Sequence, residues 1–103
     1  METIFTTDVG IEFELIIVDE DGQPRDITGY SKVEFIFKGR YVNTTRFIKT
    51  GSVTTANPAV VSYTTDATTF TIADIYQYQA LVTMTSGATF KTEIKEVNVS
   101  AGL

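Results

Sequence analysis

The sequence predicts a single all-β domain built mainly from antiparallel strands. Residue types that fit a pleated surface dominate it, above all threonine, together with valine, isoleucine, tyrosine and phenylalanine. Apolar and polar side chains alternate with a period of two, and strong helix formers do not recur at helical spacing. A chain of 103 residues has room for one hydrophobic core, so residues 1–103 are expected to form one domain.

Two alternating segments in the first half of the chain predict strands with one buried face. Segment 11–18 alternates apolar residues at odd positions with Glu12 and Glu14, and the turn 19–22 follows it. Segment 32–38 places three large apolar residues on one face of a second strand. We expect these three residues at the centre of the core: Val33, Phe35 and Phe37.

The middle of the chain carries weaker signals. Segment 41–49 is expected to form an edge strand, segment 51–58 a polar loop, and segment 59–63 a short strand. Phe70 and Ile72 are expected to close one end of the domain.

The longest alternation begins at Tyr76 and predicts a strand that pairs, through a turn at Ser86-Gly87, with the last strand. In that last strand Val97 and Val99 lie on the opposite parity from the residues before them. The earlier residues of one parity are Phe90, Thr92 and Ile94. Because a shift of one residue turns every side chain to the other face, we expect a β-bulge at Lys95-Glu96.

About seven strands at regular spacing, with turn signals between them, predict an immunoglobulin-like antiparallel β-sandwich. A small barrel is the alternative. Asp74-Ile75-Tyr76, which opens the sixth strand, is typical of a tyrosine corner, in which a tyrosine hydroxyl bonds back to the main chain. Otherwise Tyr76 is a core aromatic residue whose hydroxyl lies at the rim.

Composition argues against several classes of function. The chain has no histidine and no cysteine, which removes the usual general base, the thiol nucleophile and the common zinc ligands. We therefore expect no enzymatic activity and no cofactor. The net charge is −5 and the basic residues are scattered, so nucleic-acid binding is not expected. No apolar run is long enough for membrane insertion, and the N-terminus lacks the pattern of a signal peptide.

Carboxylates are the remaining candidates for chemistry. One cluster comprises Asp19, Glu20, Asp21 and Asp26. It could supply oxygen ligands to calcium, but a solvated turn explains it better because the alternating pattern of an EF-hand is missing. Glu12 and Glu14 lie two residues apart on one strand face, where glycoside hydrolysis is conceivable and a solvated surface is favoured.

Some apolar and aromatic residues are candidates for binding. Four apolar residues lie opposite the predicted core parity and form the suspected protein–protein interface: Ile16, Val18, Ile36 and Leu81. The alternative is that a loop or the N-terminal segment covers them. Tyr30 and Tyr41 are expected on adjoining loops and are weak candidates for a glycan-binding site.

The order of motifs resembles a known family. The acidic turn at 19–22 is followed by Asp26-Ile27-Thr28-Gly29, then by the strand 32–38, and later by Asp74-Ile75-Tyr76 and a last strand with alternating valines. This order resembles the immunoglobulin-like N-terminal domain of tailed-phage baseplate upper proteins and related small phage structural proteins.

The resemblance implies a structural subunit of a baseplate, tail or head decoration. Its location would be the virion and its partners other virion proteins, with homo-oligomers possible. The alternative function is that of a β-sandwich module that binds a carbohydrate or a host receptor.

Overall fold

The computed structural model describes residues 1–102, and within them the chain forms nine β-strands in two packed sheets. The larger sheet has six strands in the order β1-β9-β7-β3-β4, with β8 also paired to β7, and the smaller sheet has the order β2-β6-β5. The strands are β1 (Glu2–Phe5), β2 (Glu12–Ile16), β3 (Tyr30–Gly39), β4 (Phe47–Thr50), β5 (Ser52–Ala56), β6 (Ala59–Thr64), β7 (Asp74–Met84), β8 (Thr89–Lys91) and β9 (Lys95–Ser100).

This strand order is that of an immunoglobulin-like sandwich, and it confirms the predicted fold class. Strands β2, β6 and β5 take the places of B, E and D, whereas β9, β7 and β3 take those of G, F and C. Strand β4 extends the larger sheet beyond β3, as in variable-type domains. All strand pairs are antiparallel except β1 with β9, which run parallel.

Two segments differ from the sequence-based expectation. Segment 51–58 is not a polar loop, because Ser52–Ala56 forms β5 and pairs with β6 through Val53 and Val61. Its serine and two threonines suit an exposed edge strand, and a single partly buried valine leaves almost no period-two signal. Strand β1 carries no clear pattern either, since it has four residues and one buried side chain, Ile4.

The core between the sheets is aromatic, and Phe37 lies at its centre. The predicted core residues Val33, Phe35 and Phe37 are all buried. The ring of Phe37 has ring neighbours with centroids at 5.2–6.3 Å, which are Phe13, Phe35, Phe47, Tyr63, Phe70 and Tyr78. Rings at such distances and mostly at tilted or edge-on angles attract one another in addition to the free energy of apolar burial.

One end of the sandwich is closed by Phe70 but not by Ile72. Phe70 is buried against the core rings, whereas the side chain of Ile72 is 42% exposed. The carbonyl of Ile72 instead accepts a hydrogen bond of 2.6 Å from the hydroxyl of Tyr76, and this confirms the tyrosine corner. Burial raises the pKa of Tyr76, and the carboxylate of Asp74 adds to that shift, whereas a hydrogen bond from Asn43 opposes it.

Beside the tyrosine corner, the buried carboxylate of Asp74 organises the chain after β3. It accepts hydrogen bonds from the main-chain N–H groups of Val42 and Asn43 at 2.9 Å and of Ile75 at 2.7 Å, with Tyr41 at 3.2 Å. Burial alone would raise the pKa of Asp74, but these donors outweigh it and lower the pKa below 3.8. Residues 41–46 are therefore a loop, and the edge strand expected at 41–49 begins only at Phe47.

The loop 41–46 and Asp74 of β7 both lie so close to Gly39, at the end of β3, that a side chain at this position would collide with them. A Cβ atom at this position would overlap the carboxylate of Asp74 and the carbonyl of Asn43. Glycine at the end of β3 thus allows the main chain to approach the carboxylate.

The predicted register change in the last strand is present, but it lies before Lys95-Glu96. Leu81 pairs with Lys91 and Tyr78 pairs with Lys95, so residues 92–94 lie opposite only two residues of β7. The buried side chain of Thr92 explains the position, because its hydroxyl accepts a 3.0 Å hydrogen bond from the N–H of Ala80. Ile94 was predicted to lie on the same face as Phe90 and Thr92. Because of the extra residue it points outward instead and is 61% exposed, so that prediction is wrong.

Candidate functional site

The four residues of the suspected interface lie on two different sheets. Ile36 and Leu81 lie on adjacent strands of the larger sheet, on its outer face, and both are partly buried. Ile16 ends β2 of the smaller sheet and is 58% exposed, and Val18 follows it in a bridge to Pro24 and is 43% exposed. The four side chains therefore do not form one patch, because the sandwich separates the outer faces of its two sheets.

An apolar row crosses the outer face of the larger sheet. Ile48 on β4 pairs with Ile36 on β3, which pairs in turn with Gln79 on β7. Ile94, turned outward by the bulge, lines the same surface beyond β7. Ile48 is 55% exposed and Ile94 61% exposed, so the most exposed members of the row are residues that sequence reasoning missed. For Ile48 the sequence did contain a signal: Ile48 is next to Phe47 in one strand, so if Phe47 faces the core, Ile48 faces outward.

A shallow groove of about 210 Å³ lies over part of this row and is lined by Ile36 and Ile94 but not by Ile48. We call it the basic groove, because its lining combines isoleucine with three cationic residues and contains no carboxylate. Its lining residues are Ile36, Lys38, Arg46, Gln77, Tyr78, Gln79, Lys91 and Ile94. The chain as a whole has a net charge of −5, so the positive charge of this groove is opposite in sign to that of the whole chain.

The three cations of the basic groove have no carboxylate partner in residues 1–102. The ion pairs of this part of the chain are Lys32–Glu34, Arg40–Glu96 and Lys95–Glu93. Of the remaining basic residues, Arg25 stacks on the ring of Phe90 at 4.2 Å, and Lys49 lies near enough to Asp66 to lower the pKa of that carboxyl group. Of the five basic residues outside these ion pairs, three therefore line one groove: Lys38, Arg46 and Lys91.

The outer face of the smaller sheet has the opposite character. Glu12, Glu14 and Ile16 point the same way from β2, and Ile16 pairs with Val60 of β6. None of the strands β2, β5 and β6 contains a lysine or an arginine. We call Glu12, Glu14, Ile16 and Val60 the acidic face. The two glutamates lie on the exposed face of a regular strand, which fits the solvated surface that the sequence favoured over a catalytic pair.

The two tyrosines predicted for a glycan site lie far apart, and this contradicts their expected positions on adjoining loops. Tyr30 begins β3, and Tyr41 lies two residues after its last residue, Gly39. A ten-residue strand separates its ends by about 30 Å. The guanidinium group of Arg40 also lies 5.4 Å from the ring centroid of Tyr41, over a face that a sugar would need.

The carboxylates of the acidic cluster after β2 do not lie close enough together to bind one metal ion. The carboxylate of Asp19 accepts hydrogen bonds of 2.9 Å from the N–H groups of Asp21 and Gln23, within its own turn. Asp26 accepts hydrogen bonds from the hydroxyl and N–H of Thr28, which lower its pKa. Across the described part of the chain, no three acidic side chains approach closely enough to hold a metal ion. The turn chemistry accounts for these residues without calcium.

No known family model, no curated protein and no solved structure matches the chain significantly. The likeness to phage structural domains thus rests on the order of sequence motifs. Within residues 1–102 there is no helix long and apolar enough to cross a membrane.

Proposed function

We propose that this protein is a non-catalytic structural module of a bacteriophage or prophage particle that acts through protein–protein contacts. The observation that carries the proposal is the apolar row on the outer face of the larger sheet. Ile48 and Ile94 expose more than half of their side-chain surface there, next to the partly buried Ile36. Exposed apolar surface bordered by polar and charged residues is typical of a surface that another protein covers.

The shape of the surface supports a protein partner over a small ligand. Small molecules bind in enclosed pockets that bury most of their surface, whereas the basic groove is shallow and open along the sheet. The absence of histidine and cysteine from the sequence also supports a role without catalysis.

The assignment to a phage particle is supported by the order of sequence motifs. The turn at 19–22, the strand 32–38 and the tyrosine corner at Tyr76 occur in the same order as in the baseplate-type domains. The proposed partners are other virion proteins, and the proposed location is the virion.

The proposal can be tested on particles from a lysate of the phage or induced prophage that carries the gene. Mass spectrometry of purified particles should find the chain as a stoichiometric component. A variant carrying Ile48→Ser and Ile94→Ser should fold normally and be lost from the particles. A control with Val9→Ser and Ile72→Ser, which removes exposed apolar residues outside the row, should be incorporated like the wild type.

Two results would count against this function. Absence of the wild-type chain from purified particles would refute the structural role. Equal incorporation of the row variant and the control would show that the apolar row is not the contact surface.

A further inference from the structure

Two surfaces on opposite sides of the sandwich have complementary chemistry. The basic groove places Lys38, Arg46 and Lys91 around isoleucine side chains, and none of the three cations has an ion-pair partner in the described residues. The acidic face presents Glu12 and Glu14 beside the Ile16–Val60 pair. Each surface thus combines apolar contact area with charges of one sign, and the two signs are opposite.

From this complementarity we infer that copies of the chain assemble head to tail, with the acidic face of one copy seated on the basic groove of the next. The inference rests on the proposed assembly function and names the partner of its surface. Opposite charges across an interface direct association and select its orientation. The two glutamates are about 7 Å apart along β2, and flexible lysine and arginine side chains can reach both of them.

Symmetric contacts between copies are disfavoured by the same charges. A contact of groove with groove would bring the unpaired cations of two copies together, and a contact of acidic face with acidic face would oppose their glutamates. Juxtaposed like charges disfavour association strongly. Only the contact between unlike surfaces pairs the charges, and such a heterologous contact produces a closed ring or an open filament.

The dimensions of the molecule allow a contact of ordinary size. The molecule measures 45 × 23 × 21 Å, so a contact that extends from the acidic face or the basic groove over a whole broad side of the sandwich, loops included, can supply the roughly 800 Å² per partner that a standard interface buries. The contact would also cover Ile16 and the isoleucines of the row, which are otherwise exposed on both sides of the sandwich.

The experiment is sedimentation velocity of the purified full chain at low salt, with two charge-reversed variants. The groove variant carries Lys38→Glu, Arg46→Glu and Lys91→Glu. The face variant carries Glu12→Lys and Glu14→Lys. We expect the wild type to self-associate, and each variant alone to associate at least roughly 100-fold more weakly. An equimolar mixture of the two variants should associate again, since every contact in an alternating assembly then joins opposite charges.

A matched control carries Lys32→Glu, Lys49→Glu and Lys95→Glu, which change the net charge as the groove variant does but lie outside the groove. It should retain self-association. Circular dichroism should show that every variant keeps its fold, since the substituted side chains are exposed apart from that of Lys49, which is partly buried.

The outcomes separate this inference from the proposed function. A wild type that stays monomeric at millimolar concentration overturns head-to-tail assembly, and so does a variant mixture that fails to associate. If that monomeric protein still enters particles, the proposed function stands and another protein with an acidic surface occupies the groove. If the chain self-associates but is absent from particles, the phage function fails and the head-to-tail contact stands.

Discussion

Replacement of Asp74 by asparagine is expected to lower the free energy of unfolding by about 3 kcal/mol. One carboxylate oxygen accepts N–H groups of Val42 and Asn43 at 2.9 Å, and the other accepts that of Ile75 at 2.7 Å. An amide keeps one acceptor oxygen and turns an NH₂ group toward the remaining donors. One to two hydrogen bonds to a charged group are lost, at about 1.5–3 kcal/mol each.

The same substitution should change how stability depends on pH. The native pKa of Asp74 is lowered below 3.8, so its carboxylate stabilises the fold at pH values above the unfolded pKa. That contribution is lost as the pH falls through the lower native pKa. The difference in stability between wild type and Asp74→Asn should therefore be largest at neutral pH and shrink in acid.

Urea unfolding followed by far-UV circular dichroism, from neutral pH down through the acid range, measures this difference. Asp21→Asn is a suitable control, because its exposed side chain accepts no hydrogen bond in the described structure and should change stability by less than about 0.5 kcal/mol. Equal stability of Asp74→Asn and wild type at neutral pH, or a difference that stays constant in acid, would refute the role assigned to this carboxylate.

Further substitutions test the core, the tyrosine corner and the bulge by urea unfolding. Phe37→Ala should destabilise the fold by about 3–5 kcal/mol, because it leaves a cavity between six aromatic rings. Tyr76→Phe should cost about 1–2 kcal/mol through loss of the hydroxyl's hydrogen bond, and more than Tyr78→Phe. Thr92→Val should cost about 1–3 kcal/mol, because it leaves the buried N–H of Ala80 without its side-chain acceptor.

Each of these has a clear contrary result. Loss of stability in Phe37→Ala no greater than in Phe5→Ala, whose ring is 49% exposed, would contradict the central position of Phe37. Equal effects of the two tyrosine substitutions would remove the energetic role of the corner. Thr92→Val should be compared with Thr89→Val on the exposed side of β8, and equal stability would show that the threonine hydroxyl does not hold the bulge.

The strands with strong alternation were predicted correctly because burial in a sheet has a local period. In β2, β3 and β7, one face of each strand meets the other sheet, so every second residue is apolar whatever the strand order. Strand β5 was missed because it lies at an edge and buries little of its surface. Its pairing with β6 depends on a neighbouring strand and not on its own pattern.

The candidate site was predicted only in part. Ile36 and Leu81 do lie on an outer face, but the residues that expose most apolar surface beside them are Ile48 and Ile94. The exposure of Ile94 follows from the bulge at Thr92, and the bulge depends on a hydrogen bond to Ala80 across the hairpin. The alternation of apolar residues along the last strand placed the bulge at Lys95-Glu96. It could not show the hydroxyl of Thr92 as an acceptor for the N–H of Ala80, and so it missed the true position.

The sequence by itself determined the β class, the inward faces of the long strands and the acidic net charge, since these depend on composition and on spacing along one strand. Tertiary structure decided how the outward residues are distributed between two faces. It separated Ile16 from Ile36, and it gathered Lys38, Arg46 and Lys91 around one groove. Those groupings join residues far apart in the chain, so only the order and register of the strands can bring them together.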